Sequence, residues 1–297
     1  MSISRPKELY RFLTEHQLQA KKTSSQNFLI DGNILRKIVK EADLSEKDLA
    51  IEIGPGPGAL TETLLQTGCK VWAIERDRKL ATLLQRLCED TNKLHIHCCD
   101  FLQFPLEEAL QKEGSTSSHV KVVANLPYHI TTPILAKLLP LTNHLSDLIV
   151  MVQKEVALRL TAQKGTKDYS SFTLFVQFFS EVSYCFTVKP SCFYPRPSVE
   201  SAIVHFRLRP PPPVKNPSLL FTVIHAAFQK RRKMMRASLK ELAPSSFVEE
   251  TLKQMGLSPL SRPEELSLQQ FIFLTDQLFV LPQAKFSSTR LPSDRPE

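Results

Sequence analysis

The sequence predicts an α/β fold with a mostly parallel, doubly wound sheet, followed by a small all-helical domain. Short apolar segments alternate with helical patterns from about residue 48 to 162. Such alternation indicates βαβ units, and hence a parallel sheet with helices on both faces. Four consecutive prolines at 210–213 then interrupt the chain. Because prolines in a row continue neither a strand nor a helix, they predict a stiff extended linker and a domain boundary.

Each element is assigned from its hydrophobic pattern. Short apolar runs that end at turn residues predict five strands, at 49–53, 71–74, 94–98, 120–124 and 148–152. Helical spacing between them predicts helices at 60–65, 79–87 and 134–139. Two more strands, 182–188 and 199–207, flank a proline-rich connection and are expected to pair antiparallel at the sheet edge. Beyond the prolines, helices are predicted over 219–242, 248–255 and 268–281.

Composition narrows the class of protein. The chain has 297 residues, of which 42% are hydrophobic and 23% charged, as in ordinary soluble proteins. No apolar stretch approaches the ~20 residues of a membrane span, and the N-terminus lacks a signal-peptide core. We therefore expect a cytoplasmic protein. Its six cysteines show no C-x-x-C pairing and are expected to be reduced thiols. A net charge of +8 indicates either a polyanionic partner or a merely basic surface.

A glycine-rich turn follows the first predicted strand. Gly54, Gly56 and Ala59 fit the dinucleotide fingerprint G-x-G-x-x-G/A, which alone is a weak signal. Glu75 stands 21 residues after Gly54, at the end of the second strand, where a carboxylate accepts hydrogen bonds from a ribose diol. These features suit a nicotinamide dinucleotide and a nucleoside-containing methyl donor equally well.

Two observations favour the methyl donor. Pro55 and Pro57 remove two backbone N–H groups from the turn, and a turn that cradles a pyrophosphate is expected to keep such donors. S-adenosyl-L-methionine has no phosphate, so their loss does little harm. Asp100 follows the third strand, where its carboxylate could accept from an adenine amine. The predicted cofactor is therefore S-adenosyl-L-methionine.

The predicted reacting centre is Asn125-Leu126-Pro127-Tyr128, directly after the fourth strand. In open α/β sheets, ligands bind beyond the carboxyl ends of the strands. The Asn125 carboxamide oxygen and the Leu126 carbonyl, directed by rigid Pro127, could hold both hydrogens of an exocyclic amine and favour a pyramidal, nucleophilic nitrogen. Tyr128 offers a stacking face for the base. The alternative for an isolated tetrapeptide is an ordinary turn, since Asn and Pro are common there.

The segment around His95, His97 and Cys98 looks at first like a metal cluster. On a strand the two histidines share one face and Cys98 lies on the other. Since no second ligand pair has zinc-type spacing, a plain strand is favoured and no metal is predicted.

Six cations without an interleaved acid predict an RNA-contacting helix beyond the prolines. They are Lys230, Arg231, Arg232, Lys233, Arg236 and Lys240. A solvated helix face is the usual alternative for a charge run. Contacts to phosphates would position an RNA without reading its bases. Lys21, Lys22, Lys164 and Lys167 could add to the same field.

These motifs together resemble the small-subunit ribosomal RNA adenine dimethyltransferase family, from about residue 20 to 281. The resemblance rests on 26–31 (QNFLID), 52–56 (EIGPG), Glu75, Asp100, 125–128 (NLPY), 153–157 (QKEVA), 193–197 (FYPRP) and the basic segment at 229–240. Two departures are visible: Ser25 stands where glycine is common, and Glu200 where aspartate is common. Neither touches the predicted reacting groups.

The resemblance implies a Rossmann-like methyltransferase fold, with a seven-stranded sheet, an antiparallel edge hairpin and a helical C-terminal domain. Together with the boundary at the proline run, this gives an N-terminal extension (1–20), a cofactor-binding domain (21–209), a linker (210–217) and an RNA-binding domain (218–281). Residues 282–297 are polar and contain Pro and Ser, which predicts a disordered tail. The implied cofactor contacts are Asn27, Leu29, Gly54, Gly56, Glu75, Asp100 and Asn125. Tyr128 and Phe193 are implied to sandwich the target adenine.

The implied reaction is dimethylation of two adjacent adenosines in a hairpin near the 3′ end of small-subunit (16S) rRNA, by a monomer acting on an assembling 30S particle. A role in small-subunit biogenesis goes with it. Large-subunit rRNA adenine methyltransferases of the macrolide-resistance type share fold and chemistry, and remain an alternative. A chiefly non-catalytic assembly factor is another, although the intact Gly54, Glu75 and Asn125 argue against a purely structural role.

Overall fold

A computed structural model describes residues 6–16, 27–88, 93–114, 119–230 and 233–281. They divide into two compact units. The first comprises the described residues up to 157 together with 181–209, and the second comprises 158–180 and the described residues from 210 onward. Each unit is described by itself.

The first unit is built on a seven-stranded sheet. Its strands are β2 (Leu49–Ile53), β3 (Lys70–Glu75), β4 (Leu94–Cys98), β5 (Val120–Asn125), β6 (Asp147–Gln153), β7 (Ser180–Val188) and β9 (Ser201–Leu208), and a separate two-stranded sheet joins β1 (Phe28–Leu29) to β8 (Phe193–Tyr194). The order in the large sheet is β4-β3-β2-β5-β6-β9-β7. Strands β2 to β6 pair in parallel, whereas β9 is antiparallel to β6. The predicted α/β class with an antiparallel edge is confirmed.

Helices flank the strands along the chain. The first unit contains α1 (Pro6–Glu15), α2 (Gly32–Ala42), α3 (Ala59–Leu65), α4 (Arg78–Leu84), α5 (Leu106–Glu113), α6 (Thr131–Leu138) and most of α7 (Lys154–Leu160). The second contains α8 (Ser171–Phe179), α9 (Pro217–Gln229), α10 (Met235–Ser238), α11 (Ser245–Gln254) and α12 (Leu268–Phe279). None of the helices within the described ranges is long and apolar enough to cross a membrane. All six cysteines are free thiols.

The sheet is buried at its centre, where Glu52 is the one charged residue of β2. Strand β2 is buried at every residue, as is the middle of β5 and of β6. Parallel strands covered on both faces read as continuous apolar runs, which is why they could be located in the sequence. The order reverses beside β2, since β3 and β4 lie on one side of it and β5 and β6 on the other. A ligand crevice is expected at such a switch point.

The N-terminal extension contains a helix that the sequence analysis did not assign. In α1, Leu9, Phe12 and Leu13 are buried in the apolar cluster of the first unit. The guanidinium of Arg86 lies 4.7 Å from the centre of the Phe12 ring and also donates to the Pro57 carbonyl at 2.7 Å. Arg86 thus connects α1 to the glycine-rich turn.

Residues 158–180 were assigned from the sequence to the cofactor domain, but they fall within the second unit. Aromatic packing explains this. The Phe175 and Phe178 rings each lie 5.2 Å from the Phe221 ring of α9. The Tyr169 hydroxyl also donates to the Leu266 carbonyl at 3.1 Å. The other boundary falls between Arg209 and Pro210, where the proline run begins.

The single helix expected over 219–242 is wrong, because α9 ends at Gln229 and α10 begins at Met235. Lys230 has the non-helical angles φ −124° and ψ 60°. Met235 and Leu239 are buried nonetheless, so the apolar spacing continues across a break in the helix. Lys230 follows α9, Lys233 precedes α10 and Arg236 lies within α10, so these cations do not share one continuous helical face.

Candidate active site

A cavity of about 580 Å³ opens at the carboxyl ends of the parallel strands in the first unit. Every cofactor residue expected from the sequence lines it: Asn27, Leu29, Gly54, Gly56, Glu75, Asp100 and Asn125. Leu126, Pro127 and Tyr128 line it as well. Gly54, Glu75, Asp100 and Asn125 end or follow β2, β3, β4 and β5, whose shared direction brings them to one edge.

The turn after β2 needs glycines for its backbone. Gly56 has φ 59° and Gly58 has φ 93°, both in the left-handed region that side chains disfavour. Space is also short, since a Cβ on Gly58 would lie 2.6 Å from Leu84 Cδ2, and one on Gly56 would lie 3.0 Å from Phe28 Cε1. The turn is thus held tightly between α4 and the β1 segment.

The glycine N–H groups of this turn are already used. Gly54 donates to the Ile74 carbonyl at 2.9 Å, Gly58 to the Pro55 carbonyl at 3.0 Å, and Gly56 to Glu75 Oε2 at 3.0 Å. Pro55 and Pro57 have no N–H at all. A pyrophosphate needs such donors, so the turn suits a ligand without phosphate at this position.

Glu75 is buried at the end of β3 and is held from both sides. Its Oε2 accepts from the Gly56 N–H and its Oε1 accepts from the Asp77 N–H at 2.8 Å. Burial raises the pKa of this carboxyl, and the hydrogen bonds from Asp77 and Gly56 oppose the rise. Each carboxylate oxygen has a second lone pair, so a ligand diol can still donate to Glu75.

Glu52 also lines the cavity, although its position in the sequence alone indicates no specific role for it. Its side chain is 2% exposed, and its Oε2 accepts from the Thr61 hydroxyl at 2.6 Å. Burial raises the pKa of Glu52 to about 8; the Thr61 hydrogen bond opposes the rise, and the nearby Glu75 charge adds to it. The sequence shows an acidic residue just before a glycine turn, which is the one local signal for a role of Glu52. Its burial cannot be read from that pattern, because it depends on the folded sheet.

Asp100 lies two residues after the end of β4, and its carboxylate is fixed by the turn that follows. Oδ1 accepts from the Leu102 N–H at 2.9 Å, and Oδ2 lies 3.6 Å from Arg76 Nη1. Arg76 is largely exposed, so this ion pair is weak. Asp100 therefore presents an acceptor to the cavity in a defined position.

The carboxamide of Asn125 has a defined orientation. Its Nδ2 donates to the Asn27 carbonyl at 3.0 Å. This bond fixes the amide orientation, so Oδ1 is the carboxamide atom that can accept a hydrogen bond from a ligand. The next residue, Leu126, is anchored because its N–H donates to the Met151 carbonyl at 3.1 Å. Pro127 follows with φ −60°, and a Cβ on Gly54 would lie 3.8 Å from its ring. The glycine turn and the Asn125 segment are therefore neighbours.

The two aromatic residues expected at the adenine site differ in their placement. Tyr128 lines the cavity, and its hydroxyl lies 2.6 Å from Ser201 Oγ. Burial raises the pKa of Tyr128, so the phenol stays protonated at neutral pH. Phe193 is 3% exposed, pairs with Leu29 across the two-stranded sheet, and does not line the cavity. That Tyr128 and Phe193 sandwich the target adenine stays a prediction.

The expected RNA contacts lie in the second unit, and the structure describes four of the six. Lys230, Lys233 and Lys240 are exposed. Arg236 is half-buried and forms an ion pair with Glu249, 2.6 Å from Nη1 to Oε1, so its charge is partly neutralised. Arg231, Arg232, Lys21 and Lys22 lie outside the described residues. His95, His97 and Cys98 lie on β4, and no group of three metal-ligating side chains occurs within the described ranges.

Comparison with known proteins gives the family. The chain matches the Ribosomal RNA adenine dimethylase family over residues 17–278. A protein of Protochlamydia amoebophila named Ribosomal RNA small subunit methyltransferase A is 48% identical over 94% of this chain and 98% of its own length. One of Chlamydia abortus with the same name is 46% identical over 92% and 97%. The chain belongs to the ribosomal RNA adenine dimethylase family.

Solved structures agree with this membership. A dimethyladenosine transferase from Plasmodium falciparum has a TM-score of 0.70 at 25% identity, covering 83% of this chain and 95% of that one. The 23S rRNA methyltransferase ErmE has a TM-score of 0.67 at 24% identity, covering 85% and 100%, and shows the shared fold. This family member is therefore a methyltransferase whose cavity residues coincide with the predicted site.

Proposed function

We propose that this protein uses S-adenosyl-L-methionine to dimethylate the exocyclic amines of two adjacent adenosines in a hairpin near the 3′ end of small-subunit ribosomal RNA. The observation that carries the proposal is the orientation of Asn125, whose Nδ2 is held by the Asn27 carbonyl so that Oδ1 remains an acceptor at the cavity. Such an acceptor suits an amine that must lose conjugation with its ring before it attacks a methyl group.

The donor set of the cavity fits the proposed cofactor. Glu75 accepts from the ribose diol and Asp100 from the adenine amine, at adjacent strand ends. Asn27 and Leu29 border the same cavity, and the glycine turn comes close to the ligand without needing to bind phosphate. When bound, the cofactor supplies an electrophilic methyl group on a sulfonium.

The reacting amine is held by the chain's own acceptors. One amine hydrogen is donated to Asn125 Oδ1 and the other to the Leu126 carbonyl. Tyr128 stacks on the base, worth about 1–3 kcal/mol by analogy with other base–aromatic stacks. Proximity and alignment then supply most of the rate, and no strong base is required during transfer. The proton leaves from the product nitrogen afterwards. Phe193 is proposed to contact the opposite face of the same base.

The RNA is proposed to contact the second unit through Lys230, Lys233 and Lys240, with Arg231 and Arg232 between them. The substrate is small-subunit RNA within an assembling 30S particle, and the enzyme acts as a cytoplasmic monomer. Relatives at 43–48% identity are named for the small subunit, whereas the large-subunit enzyme is matched at 24% identity. A macrolide-resistance type of activity is therefore the less favoured candidate.

A substrate panel tests the proposal. The protein and labelled methyl donor are incubated separately with unmethylated small subunits, large-subunit RNA and duplex DNA, and nucleosides are then analysed by mass spectrometry. We expect dimethyladenosine from small subunits alone. Product on large-subunit RNA alone would replace the proposed substrate, and no product on any of them would favour a non-catalytic assembly factor.

A further inference from the structure

Lys137 makes an unusual set of contacts close to the cavity. It lies on α6, nine residues after Tyr128, and it is half-buried. Its Nζ donates to the main-chain carbonyls of Phe101 at 2.9 Å, Leu102 at 2.8 Å and Phe104 at 2.7 Å. An ammonium has three N–H donors, so all three are used on one turn of the chain.

That turn fixes Asp100. The Leu102 N–H donates to Asp100 Oδ1 at 2.9 Å, and the N–H groups of Gln103 and Phe104 donate to the Asp100 carbonyl at 3.0 and 3.1 Å. Two of the carbonyls that Lys137 binds, those of Phe101 and Leu102, belong to the peptide units whose N–H groups, on Leu102 and Gln103, donate to Asp100. It also lies 5.1 Å from the centre of the Phe101 ring, another residue of the cavity wall.

We infer that Lys137 is a positioning residue for adenine recognition, which sets the Asp100 carboxylate by holding the 101–104 turn. The inference deepens the proposed function, because it takes from it that Asp100 accepts from the adenine amine. Lys137 itself does not line the cavity, so it acts through Asp100. Since α6 follows the Asn125 segment directly, the same lysine ties the base-holding segment to the cofactor's adenine end.

A different result is expected if Lys137 only stabilises the fold. Its removal would then lower the affinity for every ligand of the cavity to the same degree, or would lower the stability of the protein alone. A positioning lysine instead controls the choice between bases. S-adenosylhomocysteine carries an amine that Asp100 can accept from, whereas S-inosylhomocysteine presents a carbonyl oxygen there. The ratio of their dissociation constants is therefore the decisive quantity.

The experiment measures both dissociation constants by calorimetry for the full-length wild type and for Lys137→Met. The wild type is expected to prefer the adenosyl ligand by about 10- to 100-fold, the range for a hydrogen bond to a charged group. In Lys137→Met we expect this preference to fall below about 3-fold, while Lys137→Arg, which keeps a cation, retains more of it. In a double-mutant cycle with Asp100→Ala, the two losses are expected to be strongly non-additive.

Lys121→Met is the matched control. Lys121 Nζ also donates to main-chain carbonyls, those of Ala42 and Asp43, each at 2.9 Å, but none of these three residues lines the cavity. The preference of Lys121→Met for the adenosyl over the inosyl ligand should equal that of the wild type. A wild type without base preference would overturn the role of Asp100 in the proposed function, and this inference with it. A Lys137→Met protein that keeps the wild-type preference, or a Lys121→Met protein that loses it equally, would overturn the inference alone.

Discussion

Replacing Glu52 by glutamine removes a buried carboxyl group whose ionisation opposes folding. We therefore expect the variant to become more stable than the wild type, by a margin that grows as the pH rises. Burial is the main cause that raises the pKa of Glu52 from its ordinary 4.5 to about 8. A carboxyl group of this kind favours the folded state while it is protonated. Its contribution is fully present below pH 4.5 and is lost as the pH rises through about 8.

The magnitude follows from the size of this pKa change. One pH unit corresponds to about 1.36 kcal/mol, so roughly three and a half units set a ceiling near 5 kcal/mol, with about 4 kcal/mol expressed at pH 8. Glutamine keeps an acceptor for the Thr61 hydroxyl and does not titrate. The difference in unfolding free energy between Glu52→Gln and wild type should therefore be small at pH 5 and on the order of 4 kcal/mol at pH 8.

The assay is urea unfolding of ligand-free protein, followed by tryptophan fluorescence at pH 5 and pH 8. Trp72 is the single tryptophan and lies buried in β3, the strand that ends at Glu75, so it reports on the sheet of the first unit. The control is Glu113→Gln, which removes an exposed carboxylate paired with Lys70 and should show no such pH dependence. Equal differences at the two pH values would refute the reasoning from burial.

Three further substitutions have defined outcomes. Gly58→Ala places a Cβ against Leu84 at a left-handed φ and should lower the unfolding free energy by about 1–3 kcal/mol in urea melts; unchanged stability would mean that the turn relaxes freely. Tyr169→Phe removes a buried hydrogen bond to a main-chain carbonyl and should cost about 1 kcal/mol, seen as an earlier thermal transition. Lys233→Glu should weaken RNA binding and flatten its salt dependence with cofactor affinity intact, whereas Lys253→Glu on α11, in the same unit, should do so less. Equal salt slopes for both variants would argue against the basic segment as the RNA contact.

The sheet and most of the site could be predicted because both correspond to local sequence patterns. Buried parallel strands are continuous apolar runs, and the site residues stand immediately after them. The sequence therefore predicts that Gly54, Glu75, Asp100 and Asn125 lie at one edge of the sheet, and all of them line one cavity.

What the sequence did not reveal depends on contacts between distant residues. Lys137 is one lysine among many until the fold brings it to carbonyls 33–36 residues earlier in the chain. Residues 158–180 join the second unit because Phe175 and Phe178 pack on Phe221, a pairing that no local pattern encodes. The break after Gln229 was missed because Met235 and Leu239 are buried on the expected spacing even though the helix is interrupted.

The central claim is that the Asn125 carboxamide oxygen holds the amine that receives the methyl group. Its most direct test is single-turnover methyl transfer by Asn125→Ala on unmethylated small subunits, with RNA binding measured in parallel. We expect transfer to be abolished while RNA binding stays close to that of the wild type. Dimethyladenosine formed by Asn125→Ala at the wild-type rate would contradict the account.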